Sequence, residues 1–217
     1  MHKSAPIRFG SIAAHPPLAL DGQRIGLLGG SFNPPHPGHR LISQIALKRL
    51  GLDQVWWIVT PGNPLKSRTV LAPLDHRLRL CAAISQDRRI RVTAFEQDLR
   101  TAFTVGTLTF LKARYSGVRF VWLMGADCLA EFHRWQHWRE IFSIMPIAVV
   151  DRPGQHLAAL SSRSGRAFQS RRFPENTARL LPMQVPPAWL FLTGPLSPIS
   201  STALRRTVIE TTGTPVE

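Results

Sequence analysis

Residues 24–50 read RIGLLGGSFNPPHPGHRLISQIALKRL, and three patterns follow one another within them. Arg24–Gly29 (RIGLLG) is nearly continuous in apolar residues, as a strand covered on both faces is. From about Pro37 to Leu50, the residues Leu41, Ile42, Ile45, Ala46 and Leu50 recur on one helical face. Between them, Gly29 and Gly30 let the backbone approach a ligand closely and present amides at a strand end. Pro37 suits a first helical turn, because an amide there would have no acceptor. A strand, a glycine turn and a helix in this order make the first half of a βαβ unit.

Working outward, the same alternation continues. Gln54–Thr60 (QVWWIVT), Ile90–Ala94, Arg119–Met124 (RFVWLM), Pro146–Val150 (PIAVV) and Trp189–Leu192 read as strands. Leu74–Ile84, Thr104–Tyr115, Trp135–Phe142 and Ser200 to about Glu210 read as helices. Uninterrupted strand–helix alternation implies right-handed parallel crossovers. The expectation is a single doubly wound, Rossmann-like α/β domain over 24–212, its mostly parallel sheet flanked by helices. An irregular, proline-bearing arm over 1–23 precedes it. Ligands of such folds sit beyond the carboxyl ends of the strands, here just after Gly30, Thr60, Met124 and Gly194.

Composition narrows the class. A chain of 217 residues supports one substantial core, and 18% charged residues describe neither a disordered polyelectrolyte nor a coiled coil. No apolar run approaches the roughly 18 residues of a membrane span. The first residues lack the long apolar segment of a secretory signal, so a cytoplasmic location with no membrane partner is expected. Cys81 and Cys128 are too few for a disulfide framework and read as buried, reduced thiols. The 27 Lys+Arg against 13 Asp+Glu give +14, which points to anionic partners without saying which. Six arginines lie in Arg152–Arg179 against the one acid Glu175. With its serines, glycines and lack of periodicity, the stretch 152–182 reads as a mobile basic loop inside the domain.

His36 and His39 stand three apart at the start of the first helix, where spacing and dipole aim both imidazoles at a bound anion. A third ligand at helical spacing is missing, which argues against a metal site. The segment is neither the phosphate loop ending GK[ST] nor the dinucleotide GxGxxG. Near the other end, Ile199–Arg205 (ISSTALR) opens the last helix. Ser200 or Ser201 serves there as a cap, and hydroxyls and amides at a helix start also bind phosphate. Arg205, one turn on, can reach the same anion. Two such helix starts would hold one polyphosphate between them.

GGSFNPPHPGH together with ISSTALR resembles the HxGH and SSTxxR pair of the nucleotidyltransferase superfamily. The pieces between, PGNPLK at 61–66, EQDLRTAFTVGTL at 96–108 and MGADCLAEFHRW at 124–135, resemble those of the bacterial nicotinate-nucleotide adenylyltransferases in their order. The likeness runs from about Arg24 to Arg206. It implies that AMP passes from ATP to nicotinate mononucleotide by direct in-line displacement, giving deamido-NAD and pyrophosphate in NAD biosynthesis.

By that resemblance His36, His39, Lys66 and Arg205 carry the catalysis, with His39 stabilising the transition state. The nucleotide is expected at Gly29, Gly30, Ser31, Phe32, His36, His39, Gly125, Asp127, Ser200, Ser201, Thr202 and Arg205. Asn33, Lys66, Phe103, Thr104, Val105 and Trp135 match the mononucleotide site, Trp135 as the platform under the pyridine ring. Each has a plainer reading beside it: a solvated Lys66, a helix-capping Asp127, a core Trp135. Ser31, Asn33 and Phe103 depart from the Thr, Asp and Tyr frequent in the family.

Magnesium is expected as a companion of ATP, with no protein-held metal and no tightly bound cofactor, and a homo-oligomer is possible. A sister adenylyltransferase acting on nicotinamide mononucleotide or phosphopantetheine is the nearest alternative. A basic nucleic-acid-binding protein is the distant one, since no recognition motif accompanies the charge and no specific nucleic-acid partner is expected.

Overall fold

The computed structural model describes residues 15–62, 71–99 and 103–194. Seven strands form one parallel sheet: β1 (Arg24–Gly30), β2 (Gln54–Val59), β3 (Ile90–Thr93), β4 (Arg119–Gly125), β5 (Ile147–Val150), β6 (Arg172–Phe173) and β7 (Trp189–Leu192). Their order is β3-β2-β1-β4-β5-β7-β6, so the winding reverses between β1 and β4. Gly30 pairs with Val59, and Gly125 with Val150, which brings the carboxyl ends of β1, β2, β4 and β5 to one edge.

The helices are α1 (Pro37–Arg49), α2 (Leu74–Ser85), α3 (Thr104–Arg114), α4 (Ala126–Glu131), α5 (Trp138–Ile144), α6 (His156–Ser161) and α7 (Arg163–Ala167). They cover both faces, which is why the strands read as apolar runs without alternation. Adjacent residues of β2 serve opposite cores. Trp57 packs with α1 and α2, whereas Trp56 packs under α3 with Phe120 and Tyr115. Both of these indoles find an acceptor, Trp57 Nε1 at Ser43 Oγ (2.7 Å) and Trp56 Nε1 at Gln54 Oε1 (3.0 Å). Gly29 has no side chain because the Trp122 ring of β4 fills that space.

Three expectations change. The stretch 152–182 is not a loop: it carries α6, α7, β6 and two 3-10 turns, Gln169–Arg171 and Glu175–Met183. Its elements are too short for periodicity to register, and tertiary contacts hold them instead. Gly165 lies on the carbonyls of Ala159 and Leu160, Ser162 caps α7 through Gly165 N–H (3.0 Å), and Phe168 stacks on Phe142 at 4.0 Å. Glu175 accepts from Arg49 Nη2 (2.7 Å) and from the Thr193 amide (3.0 Å).

The second correction concerns Trp135–Phe142. Trp135 is extended and ends a 3-10 turn over Phe132–Arg134, His137 is left-handed (φ 55°), and α5 starts at Trp138. Third, α4 starts at Ala126 behind Gly125, so Asp127 does not cap it. Of the arm, residues 15–23 are described, and they lie on the domain. Tyr115 OH donates to Pro17 O (3.3 Å) and Thr93 Oγ1 to His15 O (3.1 Å). Cys81 is buried but Cys128 only half-buried. No described helix is long and apolar enough to cross a membrane.

Candidate active site

The turn after β1 is shaped by its own side chains. Phe32 takes a left-handed backbone (φ 47°), which costs a non-glycine residue about 1 kcal/mol. Its ring is 1% exposed, stacked 5.2 Å from Trp57 and 4.6 Å from His39. Burying a phenyl ring contributes roughly 2–3 kcal/mol, so packing outweighs the strain. Asn33 Oδ1 accepts the Ala72 amide at 3.3 Å, which ties the turn to the chain entering α2. The side chain expected to meet substrate thus also serves as a brace.

His36 is the N-cap of α1. Its Nδ1 accepts Gly38 N–H (3.1 Å), and its own N–H donates to His39 Nδ1 (3.2 Å). The pair is a capping box built from two histidines. With both Nδ1 atoms accepting, the proton of each neutral ring sits on Nε2, which becomes the donor. The rings lie 3.9 Å apart. Burial, helped by the nearby Arg152 charge, lowers His36 to about 4. Burial, the neighbouring His36 and Arg152 lower His39 to about 3. Near neutral pH the pair therefore offers two N–H donors and no charge.

Charge comes from a residue the sequence reasoning passed over. Arg152 follows β5 by two positions, and its guanidinium pairs with Asp127 at 2.9 Å. Side chains added at Gly38 or Gly125 would run into it, so Arg152 lies between the start of α1 and the end of β4. Only 12% of its side chain is exposed. The position beyond a strand's carboxyl end was the available signal, and β5 had not been counted among those ends. Asp127, expected at the nucleotide, is thus engaged by Arg152.

The pyridine side lies at α3. Phe103 is extended (φ −124°, ψ 141°), and the first intrahelical bonds come from Gly106 and Thr107 to its carbonyl. The amides of Thr104 and Val105 precede that ladder, as first-turn donors do. Trp135 is half-buried, 5.0 Å from Phe132 and 6.4 Å edge-on from Trp122, whose ring covers Gly29. Core packing and an aromatic platform are therefore compatible in Trp135. Below, Glu96 accepts Thr107 Oγ1 at 2.6 Å, and burial raises its carboxyl above the usual range.

The structure therefore brings Gly29, Gly30, Ser31, Phe32, Asn33, His36 and His39 together with Gly125 and Asp127. Phe103, Thr104, Val105 and Trp135 line the α3 and α4 flank of the same edge. Lys66, Ser200, Ser201, Thr202 and Arg205 lie outside the described residues. Among the described residues no group of three or more His, Cys, Asp and Glu side chains could hold a metal ion.

A family model described as cytidylyltransferase-like matches residues 27–207. The protein of Agrobacterium fabrum named "Probable nicotinate-nucleotide adenylyltransferase" is 56% identical over 83% of this chain and 97% of its own length. Its namesake in Rhizobium meliloti is 58% identical over 83% and 96%. Among solved structures, the Plasmodium falciparum nicotinic acid mononucleotide adenylyltransferase complexed with NaAD superposes with a TM-score of 0.64. That likeness, at 17% identity over 85% of this chain and 83% of the other, concerns the fold. With relatives above half identity over nearly their whole length, the chain belongs to the nicotinate-nucleotide adenylyltransferases, a family of nucleotidyltransferases.

Proposed function

We propose that the protein transfers the adenylyl group of ATP to nicotinate mononucleotide, releasing pyrophosphate and deamido-NAD. The observation that carries the reading is the pair of neutral imidazoles at the start of α1, both Nε2–H groups available and Arg152 alongside. A phosphate oxygen of the mononucleotide forms a bond to the α-phosphorus. The bond from that phosphorus to the bridging oxygen breaks, and its electron pair leaves with pyrophosphate. The nucleophile is already ionised near neutral pH, so no general base is required, in keeping with histidines that burial keeps unprotonated.

His39 and His36 donate Nε2–H to the phosphates, His39 to the oxygens that gain charge in the transition state. Arg152 contributes the fixed positive charge, and Asp127 orients it until the nucleotide ribose arrives. Gly29 and Gly30 let the triphosphate approach the β1 turn, and Ser31 adds a hydroxyl. Lys66, Ser200, Ser201, Thr202 and Arg205 complete the grip on the phosphates. Magnesium supplies charge neutralisation on the triphosphate when bound. Trp135 stacks on the pyridine ring, and the amides around Phe103, Thr104 and Val105 receive its carboxylate, which favours nicotinate over nicotinamide.

Pyrophosphate release from magnesium ATP, with nicotinate mononucleotide, nicotinamide mononucleotide and phosphopantetheine offered separately, tests the reading. Deamido-NAD identified by mass, formed in strong preference, is the expected result. Preference for another acceptor would move the substrate assignment and keep the chemistry.

A further inference from the structure

Arg77, on α2, is 1% exposed, yet among the described residues every acceptor of its guanidinium is a neutral backbone carbonyl. Nε donates to Ala72 O (2.9 Å), Nη1 to Ser31 O (2.6 Å) and Thr60 O (2.8 Å), and Nη2 to Pro61 O (3.4 Å). These carbonyls belong to the turn after β1, the exit of β2 and the chain entering α2. One planar fork thus fastens three segments at the carboxyl edge of the sheet, a geometry that an ammonium cannot reproduce.

Among the described residues no carboxylate pairs with Arg77. Its titratable neighbour is Cys81, one turn further along α2, whose thiol burial pushes up to about 12 and so keeps neutral. A buried cation facing only carbonyl dipoles is costly to keep. Binding the same carbonyls through neutral side chains would avoid that cost. What the charge adds is attraction for an anion at the turn it supports.

We infer that Arg77 is a positioning residue of the transfer reaction, which sets the β1 turn against the exit of β2 and whose charge is balanced by the substrate phosphates bound there. The inference rests on the adenylyl-transfer reading above. It makes the ligand part of the electrostatic balance of the fold, since the phosphates supply a counter-charge that the described residues do not.

Arg77→Lys and Arg77→Gln in the full chain test it, with kcat and KM for both substrates and calorimetric binding of a non-hydrolysable ATP analogue. The lysine variant keeps the charge but cannot span three segments, so kcat falls about 100-fold, the effect of roughly 1 Å of misplacement. Its buried amine loses a proton between about pH 7 and about pH 10, where the guanidinium does not. Neither His36 (about 4), His39 (about 3) nor Cys81 (about 12) changes charge in that window.

Nucleotide affinity of the lysine variant is therefore expected to fall about tenfold more than that of the wild type across the window, a charge interaction of roughly 1.4 kcal/mol. The glutamine variant shows the weaker affinity throughout. Identical pH dependence of the lysine variant and the wild type would reduce Arg77 to a fold brace and overturn the inference. That comparison decides the matter even where the glutamine variant does not fold. A wild type that neither binds the analogue nor turns over would instead defeat the adenylyl-transfer reading itself.

Discussion

Two segments leave the carboxyl edge of the sheet and face each other across the site, the turn after β1 (29–39) and the stretch after β5 (151–183). The first takes its course from neighbours in sequence, with Phe32 on Trp57, Asn33 at Ala72 and Arg77 at Ser31 fastening it to the rest. A glycine pair, a proline at the first helical position and a histidine capping box fix its course within eleven residues. The second is held from outside, by Phe168 on Phe142 and by Glu175 reaching Arg49 and Thr193. Local constraint writes itself into a motif. Distant constraint leaves only a composition, here five exposed arginines at 163, 166, 171, 172 and 179 that resemble a solvated loop.

The comparison predicts that damage to the first segment removes chemistry and damage to the second removes stability. The largest effect is expected from His39→Ala, which deletes a transition-state donor and should lower kcat by about 10²–10³-fold. Its unfolding free energy, followed by chemical denaturation, should drop only by the loss of one cap bond, about 1 kcal/mol. Turnover near the wild-type rate would dismantle the site.

Arg152→Gln comes next and blurs the contrast, because this residue of the second segment belongs to the first in function. A loss of about 10²-fold in kcat/KM is expected, with partial recovery in Arg152→Lys. Titration followed by NMR should show His36 and His39 moving up, since Arg152 contributes to lowering both. Unmoved histidines would mean that the guanidinium does not act on them.

Gly165→Ala sharpens the contrast. A Cβ there meets Ala159 O at 2.7 Å and Leu160 O at 2.9 Å, both backbone. Chemical denaturation should show a loss of about 1–3 kcal/mol, with kcat/KM of the folded enzyme within about twofold of wild type. A large kcat defect without loss of stability would reverse the assignment.

The last expected effect concerns acid stability. Both histidines fold neutral, with values of about 4 and 3 against 6.5 in the unfolded chain, so the unfolded state binds more protons as pH falls below about 6.5. Each then costs up to about 1.4 kcal/mol per pH unit until its folded value is reached. His39→Ala should flatten that decline, and an unchanged slope would show that His39 is not held neutral.

The order of the longer strands and helices was legible because the core strands other than β3, with its exposed Arg91, are nearly continuous in apolar residues and each long helix keeps one apolar face. Of the site, the β1 turn, the β4 end and α3 were legible for the same reason that motifs exist: a cap, a missing Cβ or a strand end constrains neighbours in sequence. Arg77 gave no such sign, and Arg152 only its place two residues past the end of β5. Their partners lie 5–46 and 25 positions away, and an arginine within α2 reads like any other on a polar face. Trp135 looked helical because an aromatic run fits either structure, and only the left-handed His137 separates it from α5.

By itself, then, the sequence determined a doubly wound α/β domain, the carboxyl edge where its candidate site lies and the two histidines at the helix start there. These depend on periodicity and on contacts between near neighbours, which local residue types encode. Tertiary structure alone decided that the histidines are uncharged, that Arg152 and Asp127 hold each other beside them, and that one buried guanidinium ties the loops beneath. Burial and charge pairing depend on which distant segments the sheet brings to one edge, and no short window of residues contains that information.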